Sequence, residues 1–205
     1  MHFKPFAVIV ACYSGRDLQQ GERVVTPLKD LGTVVAPHAG PMPFPALNSA
    51  FDAVLPPGLH HYWKSDYVPT LTDEAIGVHA THGPQLPSIQ STMHLCPQTG
   101  AIQRVGQRDT AYGRRDVEFV HVIPASDADL ARMAGNIAWM HAYYDALRSL
   151  SDSGSGGYIN FMTDDDGQER IKATYGGDYD RLAQVKTQYD PGNVFRVNQN
   201  IRPGR

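Results

Sequence analysis

The sequence predicts an α+β fold: a mostly antiparallel sheet with helices packed on one face. Three observations lead there. β-rich apolar runs occur in neighbouring groups, helical periodicities fall between and after those groups, and strand and helix do not alternate one to one as a doubly wound parallel sheet requires. A chain of 205 residues supports one well-buried core or at most two small ones. With 41% hydrophobic and 19% charged residues, its 19 glycines and 15 prolines read as turns rather than disorder.

The elements follow in order. Phe6 to Cys12 sits behind Lys4 like the apolar core of a signal peptide, but it is short for one, and the β-branched Val8, Ile9 and Val10 suit a buried strand. In ERVVTPLKDLG, Val24, Val25, Leu28 and Leu31 recur at helical spacing and Gly32 offers a stop. A second apolar run, TVVAP, leads into the irregular loop HAGPMPFP and a short helix from Ala46 to Val54. HHYWKSDYV reads as a strand, and TDEA opens a helix with Thr72 as N-cap. SIQSTMHLC and AIQRVG, separated by PQTG, read as a hairpin, and DVEFVHVIPA as a further strand.

A long helix starts at SDAD with Ser126 as cap, and Leu130, Met133, Ile137, Met140, Tyr144 and Leu147 give it one apolar face that would cover a sheet. SDSGSGG, Ser151 to Gly157, is the clearest linker. It separates an α+β region, 1–150, from a C-terminal segment, 151–205. Beyond it YINFM reads as a strand and DYDRLAQVKTQYDPGN as a helix that Pro191 and Gly192 end.

Composition excludes several functions. A net charge of -3 without a basic stripe argues against nucleic acid. No run approaches the ~18 apolar residues of a membrane span. Cys12 and Cys96 are too few for a disulfide framework, so a reducing, cytoplasmic location is expected. His79 and His82 stand three apart without a third ligand, and DDDG at Asp164 lacks the spacing of a calcium loop and reads as a solvated turn, so no metal is expected. TYGGDYDR lacks both the dinucleotide fingerprint and a P-loop, and no nucleophile elbow is present.

The closing stretch carries a specific pattern: YIN at Tyr158 to Asn160, YGGDYDRLAQVKTQYDP at Tyr175 to Pro191, and NVFRVNQNIRP at Asn193 to Pro203. It resembles the C-terminal segment of berberine bridge enzyme-like flavoproteins. PLKDLG, YWKS, TGAIQRV and TAYGRRD extend the resemblance, more loosely, over nearly the whole chain. The resemblance implies that 1–150 is a substrate-binding-type region and 151–205 the berberine-like segment packed with it. It implies an antiparallel sheet roofing a flavin, FAD as cofactor, and hydride transfer from a small organic substrate to that flavin, with electrons passing to oxygen. The family's N-terminal FAD-binding region has no counterpart in this sequence. A truncated, catalytically silent module that binds a small ligand or a separate FAD-binding partner, or a homo-oligomer, is therefore the alternative expectation.

By position in the family's YxN motif, Tyr158 would deprotonate the substrate hydroxyl and Asn160 would help hold the cofactor. A phenol of ordinary pKa about 10 needs a nearby cation or polar network to act as a base near neutrality. Arg115, the arginine of the TAxxxR pattern, would supply such a charge. The plain alternatives are a core aromatic for Tyr158 and a structural ion pair for Arg115. Asn198 and Asn200 match positions that return to the FAD domain. His94, Cys96 and Gln98 share one face of their strand by alternation and, with Tyr62, are candidates to line the substrate site. Neither cysteine stands in a context that matches a flavin-linking residue.

Overall fold

The computed structural model describes residues 5–35, 39–152, 154 and 156–204. The chain divides into two compact units, Met1–Pro56 and Pro57–Arg205.

In the first unit Asp17 caps α1 (Leu18–Val25), accepting hydrogen bonds from the N–H groups of Gln19 and Gln20. The α-helix stops at Val25 and not at Gly32, because Pro27 has no N–H to continue the ladder and the chain tightens into a 3-10 turn, Thr26–Asp30. A short helix α2 (Phe44–Asn48) ends well before Val54. The strand expected from Phe6 to Cys12 does not form. Val8, Ile9 and Val10 stay more than half exposed, and β-branching favours a strand only where a neighbouring ladder exists to pack on. Of the expected run 33–37, residues 33–35 are not in a strand and 36–37 lie outside the described residues.

The second unit is built on three antiparallel strands, β1 (His60–Val68), β2 (His94–Pro97) and β3 (Phe119–Asp127), in the order β1-β3-β2. The α+β class and the antiparallel sheet are as the sequence predicts. Register fixes the faces, since directly paired residues project to the same side. Tyr62, Lys64 and Asp66 pair with Ala125, Ile123 and His121 on the first face. Ser65 and Tyr67 pair with Val122 and Val120 on the second, where His94 and Cys96 of β2 join them.

Helices seal the first face. Thr72 caps α3 (Asp73–His82) by accepting from the Ala75 N–H, and α4 (Met133–Leu147) lies beside it. Ala75, Ile123, Ala125, Met140, Tyr143 and Leu147 form the core between them. Burying Ile123, Met140 and Leu147 contributes roughly 1.5–3 kcal/mol each. A smaller cluster of Tyr67, Val117 and Val120 lies on the second face, with Cys96, Tyr158 and Phe161 packed on it.

Several expectations fail for identifiable reasons. Ser126 is not the cap of the long helix, because Ser126 and Asp127 continue β3 opposite His61 and His60. Asp129 caps instead, into a 3-10 turn that precedes α4. Residues 101–106 are turns and not the second arm of a hairpin: Gln98 still bonds the Glu118 carbonyl, and then Gly100, at φ +70°, takes the chain out of the sheet. YINFM is a 3-10 turn, Ile159–Phe161, closed by the Phe161 N–H on the Tyr158 carbonyl. The linker is described only in part, residues 153 and 155 lying outside the described residues.

The aspartate run is a solvated turn only in part, with Asp164 and Asp165 exposed. Asp166 is buried and, with Thr163, forms a reciprocal capping box. Lys64 of β1 donates to both Asp165 (2.7 Å) and Asp166 (3.2 Å). The run leads into α5 (Gly167–Tyr175), a helix the sequence reading leaves out, and then α6 (Tyr179–Tyr189), which ends at Asp190 as expected. No helix among the described residues is long and apolar enough to cross a membrane.

Candidate functional site

On the second sheet face, three tyrosines come together from three parts of the chain. Tyr67 is supplied by β1, Tyr112 by the loop before β3, and Tyr158 by the segment entering the 3-10 turn. The rings of Tyr112 and Tyr158 meet edge to face with centroids 5.8 Å apart, and Phe161 supports Tyr158 from another side at 5.2 Å. The turn explains the YxN spacing. Asn160 folds back so that its amide donates to the Tyr158 hydroxyl oxygen at 2.8 Å. Among the described residues no acceptor meets the phenol proton.

Tyr112 donates its hydroxyl to Gln98 Oε1 at 2.6 Å, and the Arg115 guanidinium lies 5.2 Å over its ring. Burial first, then the neighbouring Tyr158, raises the pKa of Tyr112. Tyr67 is raised more strongly, by its burial and by Tyr112. Cys96, half-buried in the same cluster, has its thiol pushed up by burial, which favours the protonated form.

The expected site residues are thus divided. Tyr158, Asn160, Cys96, Gln98 and Arg115 are brought together, Arg115 through Tyr112. Its guanidinium donates to the Ile102 carbonyl (2.9 Å) and to Thr110 Oγ1 (2.6 Å). His94 shares the face but is exposed, its Nε2 bonded to Thr92 Oγ1. Tyr62 lies on the opposite face, where its hydroxyl donates to Asp165 at 2.5 Å and its ring meets that of His141. Asn198 adopts φ +61° in the exposed tail. The tail is held near the turn by Gln199, whose amide donates to the Met162 carbonyl at 2.7 Å.

The residues missed by sequence reasoning are Tyr112 and Tyr67. A signal for Tyr112 existed, because it sits inside TAYGRRD beside the arginine already singled out. Nothing in the sequence distinguishes Tyr67 from the other aromatics of its strand.

The fit of a flavin can be judged from the amides. Asn200 Oδ1 and Asn193 Oδ1 are buried without a hydrogen-bond partner among the described residues, and such acceptors are costly unless something donates to them. Side-chain amides suit a heterocycle edge that both donates and accepts, so Asn160 and Asn200 fit the group. Elsewhere, a pocket of about 220 Å³ beside α6 is lined by Arg108, Asp178 and Arg181 among others, and shares no residue with the tyrosine cluster. No group of three or more His, Cys, Asp or Glu among the described residues is placed to hold a metal ion.

Comparison with known proteins bears on the same region. Residues 157–202 match the family model described as berberine and berberine like. The chain is 26% identical over 202 residues to an FAD-linked oxidoreductase of Dictyostelium discoideum, covering 96% of this chain and 42% of that protein. It is 35% identical over 107 residues to the FAD-linked oxidoreductase YgaK of Bacillus subtilis, covering 52% of this chain and 23% of that one. Among solved structures, aclacinomycin oxidoreductase superposes with a TM-score of 0.59 at 25% identity, over 71% of this chain and 33% of that chain. Chitooligosaccharide oxidase, at 22% identity and the same TM-score, shares the fold. The chain therefore spans less than half the length of these relatives. Residues 157–202 are similar to the berberine-like segment, and the chain is similar to part of the berberine bridge enzyme-like FAD-linked oxidoreductases.

Proposed function

We propose that the chain is the substrate-side portion of an FAD-dependent oxidoreductase whose second sheet face meets the flavin. The observation that carries this reading is the Tyr158–Asn160 pair, set against Tyr112 and Gln98 on the face that α3 and α4 do not cover. FAD, when bound, supplies a hydride acceptor. Tyr158, having first released its own proton to solvent, takes the hydroxyl proton of a small organic substrate such as an alcohol or sugar, which eases loss of hydride from the adjacent carbon. Asn160 holds the phenol oxygen in place and faces the cofactor with Asn200 and Asn198. Gln98 and Cys96 line the substrate side, with His94 at its exposed end. Oxygen would be the final electron acceptor for the bound cofactor.

The rest of such an enzyme would be an FAD-binding region that docks on this unit, as a separate domain or through a homo-oligomer. Tyr189, Val194, Phe195 and Val197 are each at least three-quarters exposed, an unusual concentration of apolar surface near one end of the chain. Both cysteines are free, which suits a reducing, cytoplasmic location. The second reading is a catalytically silent binding module. It is favoured by Arg115, which spends its guanidinium on Ile102 and Thr110 and not on Tyr158.

The test is anaerobic reduction. With FAD and a panel of alcohols and sugars, the oxidised flavin band should bleach, and Tyr158→Phe should slow bleaching while leaving FAD affinity nearly unchanged. Equal rates in the two proteins would remove Tyr158 from the chemistry, and no bleaching by any substrate would favour the silent module.

A further inference from the structure

Tyr158 is reached through Gly156 and Gly157, both buried, and α5 grips this pair from one side. Thr174 Oγ1 accepts the Gly157 N–H at 3.3 Å. Its own proton has three acceptors in reach: the carbonyls of Arg170 (3.0 Å) and Gly157 (3.1 Å), and Met162 Sδ (3.2 Å). One turn earlier on the same helix, Arg170 donates to the Ser65 carbonyl (2.5 Å), to Asp66 (2.6 Å) and to the Tyr144 hydroxyl (2.9 Å). β1 is an edge strand, so its outward carbonyls need partners from outside the sheet. Arg170 takes that of Ser65, and the Asp152 N–H takes that of Tyr67.

The fit leaves no room for a side chain. A β-carbon at Gly157 would lie 2.4 Å from the Ser65 carbonyl oxygen, and one at Gly156, where φ is +79°, would lie 2.2 Å from Thr174 Oγ1. The backbone entering the YIN turn is therefore wedged between the edge of β1 and α5. Its position is set by Thr174 acting as a side-chain substitute for a strand partner.

We propose that Thr174, anchored by Arg170, is a positioning residue that sets where the Tyr158 ring stands on the second sheet face. The proposal rests on the reading of Tyr158 as the reacting phenol, for which a misplacement of about 1 Å costs on the order of 10²-fold in rate. Thr174 is buried and meets both the N–H and the carbonyl of Gly157. It acts through Gly157, and its effect is visible without turnover.

The experiment uses the full chain with ring-labelled tyrosine, and Tyr158→Phe to assign the Tyr158 signals. In the wild type, cross-peaks should link the Tyr158 and Tyr112 rings, and separately Tyr62 and His141 on the opposite face. Thr174→Val should lose the first while keeping the second, and Thr174→Ser should restore the first. Retention of the Tyr158–Tyr112 cross-peak in Thr174→Val overturns the proposal. If Thr174→Val loses both contacts, the Gly157 amide decides: exchange in the wild type and Thr174→Ser slowed by about tenfold or more relative to an exposed glycine supports the clamp, and exchange at the exposed rate overturns it. A change in ring position with intact flavin chemistry, or the reverse, separates this proposal from the reading it rests on.

Discussion

The two faces of the three-stranded sheet are made from alternate residues of the same strands, yet they are finished differently. On the first face α3 and α4 close over Ile123 and Ala125, and the charges there are matched: Lys64 by Asp165 and Asp166, Asp66 by Arg170. On the second face the cover is one 3-10 turn and a loop, and the polar groups gathered there are phenols, two amides and a thiol, with the Arg115 guanidinium committed to Ile102 and Thr110. A face that must hold the fold spends its polar groups on each other. A face that must take a ligand keeps some of them free, among them the Tyr158 oxygen, which among the described residues accepts from Asn160 alone.

Four changes would break or sharpen that contrast, in order of expected effect. Tyr158→Phe should lower the rate of flavin reduction by about 10²–10⁴-fold, the usual contribution of a positioned proton acceptor, with little change in thermal stability. On the sealed face, Arg170→Met should destabilise the fold by about 3 kcal/mol in urea denaturation, because it leaves Asp66 buried and unpaired and the Ser65 carbonyl without its donor.

His121 makes the pH prediction. It is fully buried, neither ring nitrogen has a hydrogen-bond partner among the described residues, and His79, Tyr144, Arg170 and Asp66 surround it from α3, α4, α5 and β1. Burial first, then His79 and Arg170, lowers its pKa from 6.5 to about 3. The unfolded chain therefore binds a proton that the folded chain refuses over that interval. Stability should be full above pH 6.5 and fall toward pH 3 with a slope approaching 1.4 kcal/mol per pH unit from this group. His121→Leu should remove that component, and an unchanged slope would mean that another group is responsible. The smallest effect is expected from Tyr62→Phe, about 1 kcal/mol of stability for the lost bond to Asp165. If it slowed flavin reduction as far as Tyr158→Phe, the assignment of roles to the two faces would be wrong.

What could be read in the sequence follows the range of the interactions involved. β1 was legible over its full length from its aromatic content, and Thr72 as a cap from its place before Asp73 and Glu74, since both signals are local. The helix now ended by Asp190 was legible through its proline and glycine. Phe6 to Cys12 misled because propensity was present without a ladder. Asp165 and Asp166 misled because their counter-charge, Lys64, comes from a strand remote in sequence. Ser126 lost its capping role to sheet register, which a local reading does not see. In the site, a family motif located Tyr158 and Asn160, and alternation placed Cys96 with His94 on one face. Tyr67 and Tyr112 join them only through tertiary packing, and Tyr62 was drawn in by its aromatic ring although register sends it to the other side.

The central claim, that the second face is the one a flavin meets, can be read directly by titrating FAD into the ring-labelled chain and following each tyrosine. The account predicts that Tyr158 and Tyr112 shift while Tyr62, Tyr143 and Tyr144 do not. Shifts confined to Tyr62, Tyr143 or Tyr144, or no shift at Tyr158 and Tyr112 at saturating FAD, would contradict it.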